Sequence, residues 1–158
     1  MKHTISVLVE NKSGVLARIA TLFAARGYNI DSLTVGETDD PTISRMTIVV
    51  NGDEKILEQV EKQLNKLIDI IKLNDFLSVE HIERDFILVK VKADKSTRGE
   101  ILQIINIFRA KIIDVSAGTV IVEMTGDEDK VNALINMLRP FGIKEMARTG
   151  VIAMARGA

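Results

Sequence analysis

The stretch ENKSGVLARIATLFAARGYNI, Glu10 to Ile30, decides how the rest of the chain reads. It follows a β-branched run from His3 to Glu10. It then carries apolar residues at Leu16, Ile19, Ala20 and Phe23, the i, i+3, i+4, i+7 spacing of one buried helix face. Gly27 sits where that helix should end, and Tyr28 opens a second β-rich run that reaches Thr38. The stretch is therefore a strand, a glycine turn, a helix and a second strand.

Moving outward, the same helical stripe recurs at Ile101, Ile104, Ile105 and Phe108, and again at Val131, Leu134, Ile135 and Leu138. Leu57, Val60, Leu64 and Leu67 form a fourth. Strand character lies between the stripes: Thr42 to Val50, Leu67 to Leu73, Phe86 to Ala93, Lys111 to Ser116, Thr119 to Thr125 and Ile143 to Ala147. Leu67 falls at a helix–strand junction. Each half of the chain thus spells βαββαβ, which predicts an α+β protein of two tandem ferredoxin-like domains, each an antiparallel sheet with both helices on one face. The division is placed at residues 1–77 and 78–158, inside NDFLSVEHIERD. TDDPT, Thr38 to Thr42, turns a long first hairpin, and SAG, Ser116 to Gly118, turns a short second one. In such a sheet the second strand lies at an edge. A long, proline-free edge strand from Tyr28 to Thr38 invites pairing with a second copy, so a homodimer is expected.

Bulk composition narrows the function classes. With 21 Lys+Arg against 22 Asp+Glu, no broad attraction to nucleic acid or anionic membrane is expected. The absence of cysteine excludes disulfides, thiolate metal sites and a cysteine nucleophile, and fits a reducing compartment. No apolar run approaches a membrane span, and the start lacks the pattern of a signal peptide, so the expectation is a cytoplasmic protein. His3 and His81 have no partners at metal-ligand spacing, and no phosphate-loop, dinucleotide, zinc-protease or serine-nucleophile motif occurs. No catalytic residue and no metal site is therefore assigned, and the chain is expected not to be an enzyme. Ferredoxin-like sheets that bind RNA stack bases on strand aromatics. Ser6 to Val9 and Arg45 to Val49 contain none, so nucleic acid is set aside.

The turn NKSG, Asn11 to Gly14, admits two accounts. In one, Gly14 relieves a strained turn, Ser13 caps the helix and Asn11 makes an Asx-turn. In the other, the open amides and partial positive charge of the helix start receive a carboxylate. Gly14 then leaves room for it, and Asn11 supplies an amide that can both donate and accept.

Taken together, ENKSGVLARIATLFAARGYNIDSLTVG, DDPTISRMTIVV, LEQVEKQLNKLIDI, ILVKV and the tail ARTGVIAMARG resemble the small regulatory subunits of acetolactate synthase over essentially the whole chain. The resemblance is most specific in the first half, where N-x-x-G-x-L-x-R, R-G-Y-N-I-x-S-L-T-V and S-R-M-T occur in order. It implies that this half is an ACT domain. It also implies a non-catalytic chain that activates a large catalytic subunit and confers feedback inhibition by valine in branched-chain amino acid biosynthesis. Thiamine diphosphate, magnesium and FAD are expected on that catalytic subunit and no cofactor on this chain. By the same resemblance, valine would lie between two chains, with Asn11, Gly14, Val15 and Leu16 from one and Asn29 and Ile30 from the other. Ala17 stands where some members carry serine, which removes one polar contact. The competing reading is a free-standing ACT-type amino-acid sensor that acts on another partner.

Overall fold

The computed structural model describes residues 2–157. The elements run β1 (Lys2–Glu10), α1 (Val15–Ala25), β2 (Ile30–Glu37), β3 (Ile43–Asn51), α2 (Glu54–Asn65) and β4 (Ile70–Asp75). They continue as β5 (His81–Lys92), α3 (Arg98–Phe108), β6 (Lys111–Val115), β7 (Thr119–Gly126), α4 (Glu128–Leu138) and β8 (Ile143–Ala155), with a 3-10 turn at Arg139–Phe141 before β8. The βαββαβ order therefore occurs twice. The chain forms two compact units, one from the described residues up to Ile82 together with those from Val151 onward, the other Glu83–Gly150.

In the first unit the strands lie in the order β2-β3-β1-β4, all antiparallel, so β2 is an edge strand as its sequence position predicts. Alternation sends Ile5, Val7 and Val9 of β1 and Met46, Ile48 and Val50 of β3 to one face. There they meet Val15, Ile19 and Phe23 of α1 and Leu57, Val60 and Leu64 of α2. Asp53 starts α2 by accepting from the Ile56 amide at 2.9 Å, as an N-cap aspartate does. The second unit repeats the plan with the order β6-β7-β5-β8. Ile87, Val89, Val91, Val120, Val122 and Met124 of its sheet pack on Ile101, Ile104 and Ile105 of α3 and on Val131, Leu134, Ile135 and Leu138 of α4.

Three sequence expectations change. The buried stripe of α1 is Val15, Ile19 and Phe23, whereas Leu16 and Ala20 are exposed. The helix starts at Val15 as expected, and its buried stripe begins with Val15 in place of Leu16. β5 begins at His81, inside the segment read as a boundary. β8 runs past the expected Ala147 to Ala155, and Gly150, at φ +85°, lets the strand pass through a left-handed residue.

Candidate functional site

The turn after β1 is held from both sides. Glu10 N donates to the Asp69 carbonyl at 2.9 Å, at the entry to β4, and Asn11 N donates to the Thr42 carbonyl at 2.7 Å, at the entry to β3. The chain then passes through Gly14 at φ +87°, a left-handed N-cap that a side chain would strain. Ser13 does not cap α1, and no side chain does. Val15 N reaches the Lys12 carbonyl only at 3.4 Å, and the regular ladder starts with Arg18 N on the Gly14 carbonyl at 3.0 Å. The amides of Leu16 and Ala17 have no acceptor among the described residues, and the first turn of α1 contains no acid. By contrast, α2 and α4 are capped by Asp53 and Asp127.

The structure brings four of the six expected residues together. Asn11 is exposed, and its Nδ2 donates to the Pro41 carbonyl at 2.9 Å and to Glu37 Oε1 at 3.2 Å, so it ties the turn to the β2–β3 hairpin instead of forming an Asx-turn. Val15 sends its side chain into the core and offers the turn only its backbone. Leu16 is 43% exposed. Asn29 and Ile30 lie elsewhere: Asn29 Nδ2 donates to Asp31 at 3.1 Å, and Ile30, half-buried, opens β2. Glu37, at the other end of that eight-residue strand, is the residue beside Asn11. At about 3.3 Å per residue, Ile30 is roughly 23 Å from it.

Sequence reasoning passed over three neighbours. Arg18, the last residue of the N-x-x-G-x-L-x-R pattern, forks onto Asp69, with Nε at 2.9 Å and Nη2 at 2.6 Å from the same carboxylate oxygen. A Cβ on Gly14 would lie 3.5 Å from its Nη1. The motif contained the signal for Arg18, whereas nothing local in sequence marks Asp69 or Glu37. The site therefore has a donor-rich pole, made of two open amides and a guanidinium beside Gly14, and an acceptor pole, made of Glu37 and the amide oxygen of Asn11. That polarity suits a small zwitterion. Exposed apolar side chains stand nearby in the chain, Leu16 at 43%, Val35 at 49% and Ile68 at 93%. Among the described residues no group of three or more His, Cys, Asp or Glu is arranged to hold a metal, and no helix is long and apolar enough to cross a membrane.

Two family models match successive parts of the chain. Residues 5–72 match the family model described as the AHAS small subunit-like ACT domain, and residues 84–157 match that of the small subunit of acetolactate synthase. A probable acetolactate synthase small subunit of Archaeoglobus fulgidus is 59% identical over 157 residues, covering 99% of this chain and 98% of the relative. The acetolactate synthase small subunit of Aquifex aeolicus is 58% identical over 156 residues, 98% of this chain and 81% of the relative. The crystal structure of the acetolactate synthase small subunit from Thermotoga maritima is similar at a TM-score of 0.91 and 46% identity, covering 100% of this chain and 99% of that one.

Proposed function

The chain belongs to the family of acetolactate synthase small subunits, and from that premise we propose that it is the regulatory partner of a thiamine-diphosphate-dependent catalytic subunit, which it activates and makes sensitive to valine. It has no catalytic role of its own, and it works in the cytoplasm with branched-chain amino acid biosynthesis. The effector is held at the Gly14 turn. The observation that carries this reading is the uncapped start of α1 beside Arg18, with Glu37 and Asn11 opposite.

Asn29 and Ile30 enter through a second chain. β1 and β2 run parallel because β3 is antiparallel to both, so the end of β2 lies by the Gly14 turn and its start lies one strand length away. Pairing two copies antiparallel along β2 places the partner's strand start beside this chain's strand end. A homodimer of this kind closes two equivalent sites and removes the exposed edge. We assign these tasks to the first unit, read in sequence as residues 1–77 and completed in the fold by the residues from Val151 onward, and leave the rest of 78–158 as a separate C-terminal domain.

Burying the side chain of valine supplies about 1.5–3 kcal/mol, so the charged poles must fix the rest of the ligand. Inhibition follows if valine favours one arrangement of the dimer, and couplings of about 1–3 kcal/mol are usual for such effects. The test is reconstitution with an acetolactate synthase catalytic subunit. Turnover should rise on mixing and fall when valine is added, and Gly14→Asp should keep the first effect and lose the second, because its carboxylate would lie beside Arg18 in the ligand's place. A Gly14→Asp chain that stayed sensitive would remove the site assignment. No association with the catalytic subunit would favour a free-standing sensor.

A further inference from the structure

The space that a side chain on Gly14 would fill borders a cation. Among the described residues, the atom within 4 Å of a Cβ built there, apart from Gly14 and its chain neighbours, is Arg18 Nη1 at 3.5 Å. At two glycines that lead into other helices the same space is taken by hydrocarbon. Cγ2 of Ile56 would lie 2.9 Å from a Cβ on Gly52, and Cδ of Lys130 would lie 3.1 Å from one on Gly126.

The guanidinium is held in that place from its other edge. Nε of Arg18 donates to Asp69 Oδ2 at 2.9 Å, and Nη2 lies 2.6 Å from the same oxygen. The Asp69 side chain is only 9% exposed, and its backbone carbonyl accepts from Glu10 N at 2.9 Å, so the acid is fixed by the fold. A guanidinium is planar and rigid, and a partner along one edge therefore sets where the remaining donors point. Nη1 is the nitrogen left over. It has no acceptor among the described residues, and it is the atom beside the gap at Gly14.

We propose that Arg18, gripped by Asp69 along its other edge, donates through Nη1 to the carboxylate of the effector, and that this contact makes a free carboxylate a condition of tight binding. The proposal rests on the functional reading above, in which the effector lies at the Gly14 turn. The carboxylate then meets donors from two sources, the open Leu16 and Ala17 amides and the guanidinium, and its two oxygens can accept from both. A lysine in place of Arg18 has a single ammonium, which cannot hold Asp69 and a ligand in fixed directions at once.

The test is calorimetric titration of the full chain with L-valine and with L-valinamide, which keeps the ammonium and the side chain but replaces the carboxylate by a neutral amide. Mildly acidic buffer keeps both ligands protonated at the amine. The unaltered chain should prefer valine by at least the factor of a charge-assisted contact, on the order of tenfold to a hundredfold. Arg18→Gln with Asp69→Asn removes the guanidinium without stranding a buried charge, and its preference for valine should fall by about tenfold or more while valinamide binding changes little. Should that chain fail to fold, Arg18→Lys is held to the same outcome. A merely structural Arg18 would weaken both ligands together, so an unchanged ratio in the folded variant would overturn the proposal. So would an unaltered chain that binds valine no better than valinamide, and that result leaves the effector reading in place. No saturable binding of valine to the unaltered chain would remove the effector reading and this contact with it.

Discussion

At the scale of single residues, the site turns on the backbone of Gly14. Its φ of +87° costs an L side chain about 1–3 kcal/mol, even though the nearest atom to an added Cβ, Arg18 Nη1, is an ordinary 3.5 Å away. Gly14→Ala should therefore lower unfolding stability by about 1–2 kcal/mol in urea titration without adding charge. If valine still inhibits the Ala form but not the Asp form, the loss in Gly14→Asp comes from the carboxylate and not from strain. Asp53 offers a matching control away from the site. Removing its cap on Ile56 N in Asp53→Ala should cost about 1 kcal/mol and leave the effector response unchanged in the same reconstituted assay. This is also the scale at which the sequence is least readable. Asn11 and Gly14 are legible as turn residues because they stand between a strand and a helix, and that position serves a bare turn as well as a ligand. Asp69 and Glu37 do not, since their place beside the turn is made by β4 and β2, contacts that span 51 and 26 positions.

At the scale of elements, periodicity gave the helices of the second unit residue by residue, because α3 and α4 each bury one stripe against one sheet face. It misjudged α1, whose outer face carries Leu16, Ala17, Ala20 and Ala24, so that apolar residues occur on two sides and the stripe is ambiguous. In α2 the interest lies in a single acid. Burial, followed by a hydrogen bond and the like charge of Asp75 and then by Glu58, pushes the Glu61 carboxyl up to about 7, and its Oε1 is buried without a partner. Asp75 is itself engaged, accepting from Leu77 N at 2.9 Å. The sign follows from proton counts. Between the ordinary value of 4.5 and about 7 the folded chain keeps a proton that the unfolded chain releases, so this group's contribution to stability is full below 4.5 and is lost as pH rises through about 7. Glu61→Gln should melt with the parent protein at pH 4 and above it at pH 8, with the gap opening through that window. A constant gap in thermal melts across the range would show that Glu61 ionises as freely folded as unfolded.

At the scale of the whole molecule, the order of eight strands and four helices was legible because each short element carries its own period, but the extent of the last strand was not. The local strand pattern ends at Ala147, and pairing with β5 keeps the chain extended through Gly150 at φ +85°. The residues beyond it belong to the first unit. Val151 and Ala153 are 4% and 5% exposed, the Thr34 hydroxyl of β2 donates to the Val151 carbonyl at 3.2 Å, and Arg156 N donates to the Glu80 carbonyl at 2.9 Å. Thr34 stands in register with Thr47, and Thr47 with Ser6, a polar row whose Thr47 and Ser6 are almost fully buried, with Arg45 Nη1 donating to Ser6 Oγ at 2.8 Å. The tail thus holds β2, the strand on which the proposed dimer and effector site both depend. Ending the chain after Gly150 should uncover this row and remove about 1.5–3 kcal/mol for the valine side chain alone. Urea unfolding followed at the amides of β3 should shift to lower denaturant, and reconstituted activity should lose part of its valine inhibition although every residue from Asn11 to Ile30 is intact. Val151→Asp, which leaves the backbone in place and puts a charge where an apolar group is buried, should have the same direction of effect. Full inhibition and unchanged β3 stability in the shortened chain would show that β2 is held by β3 alone.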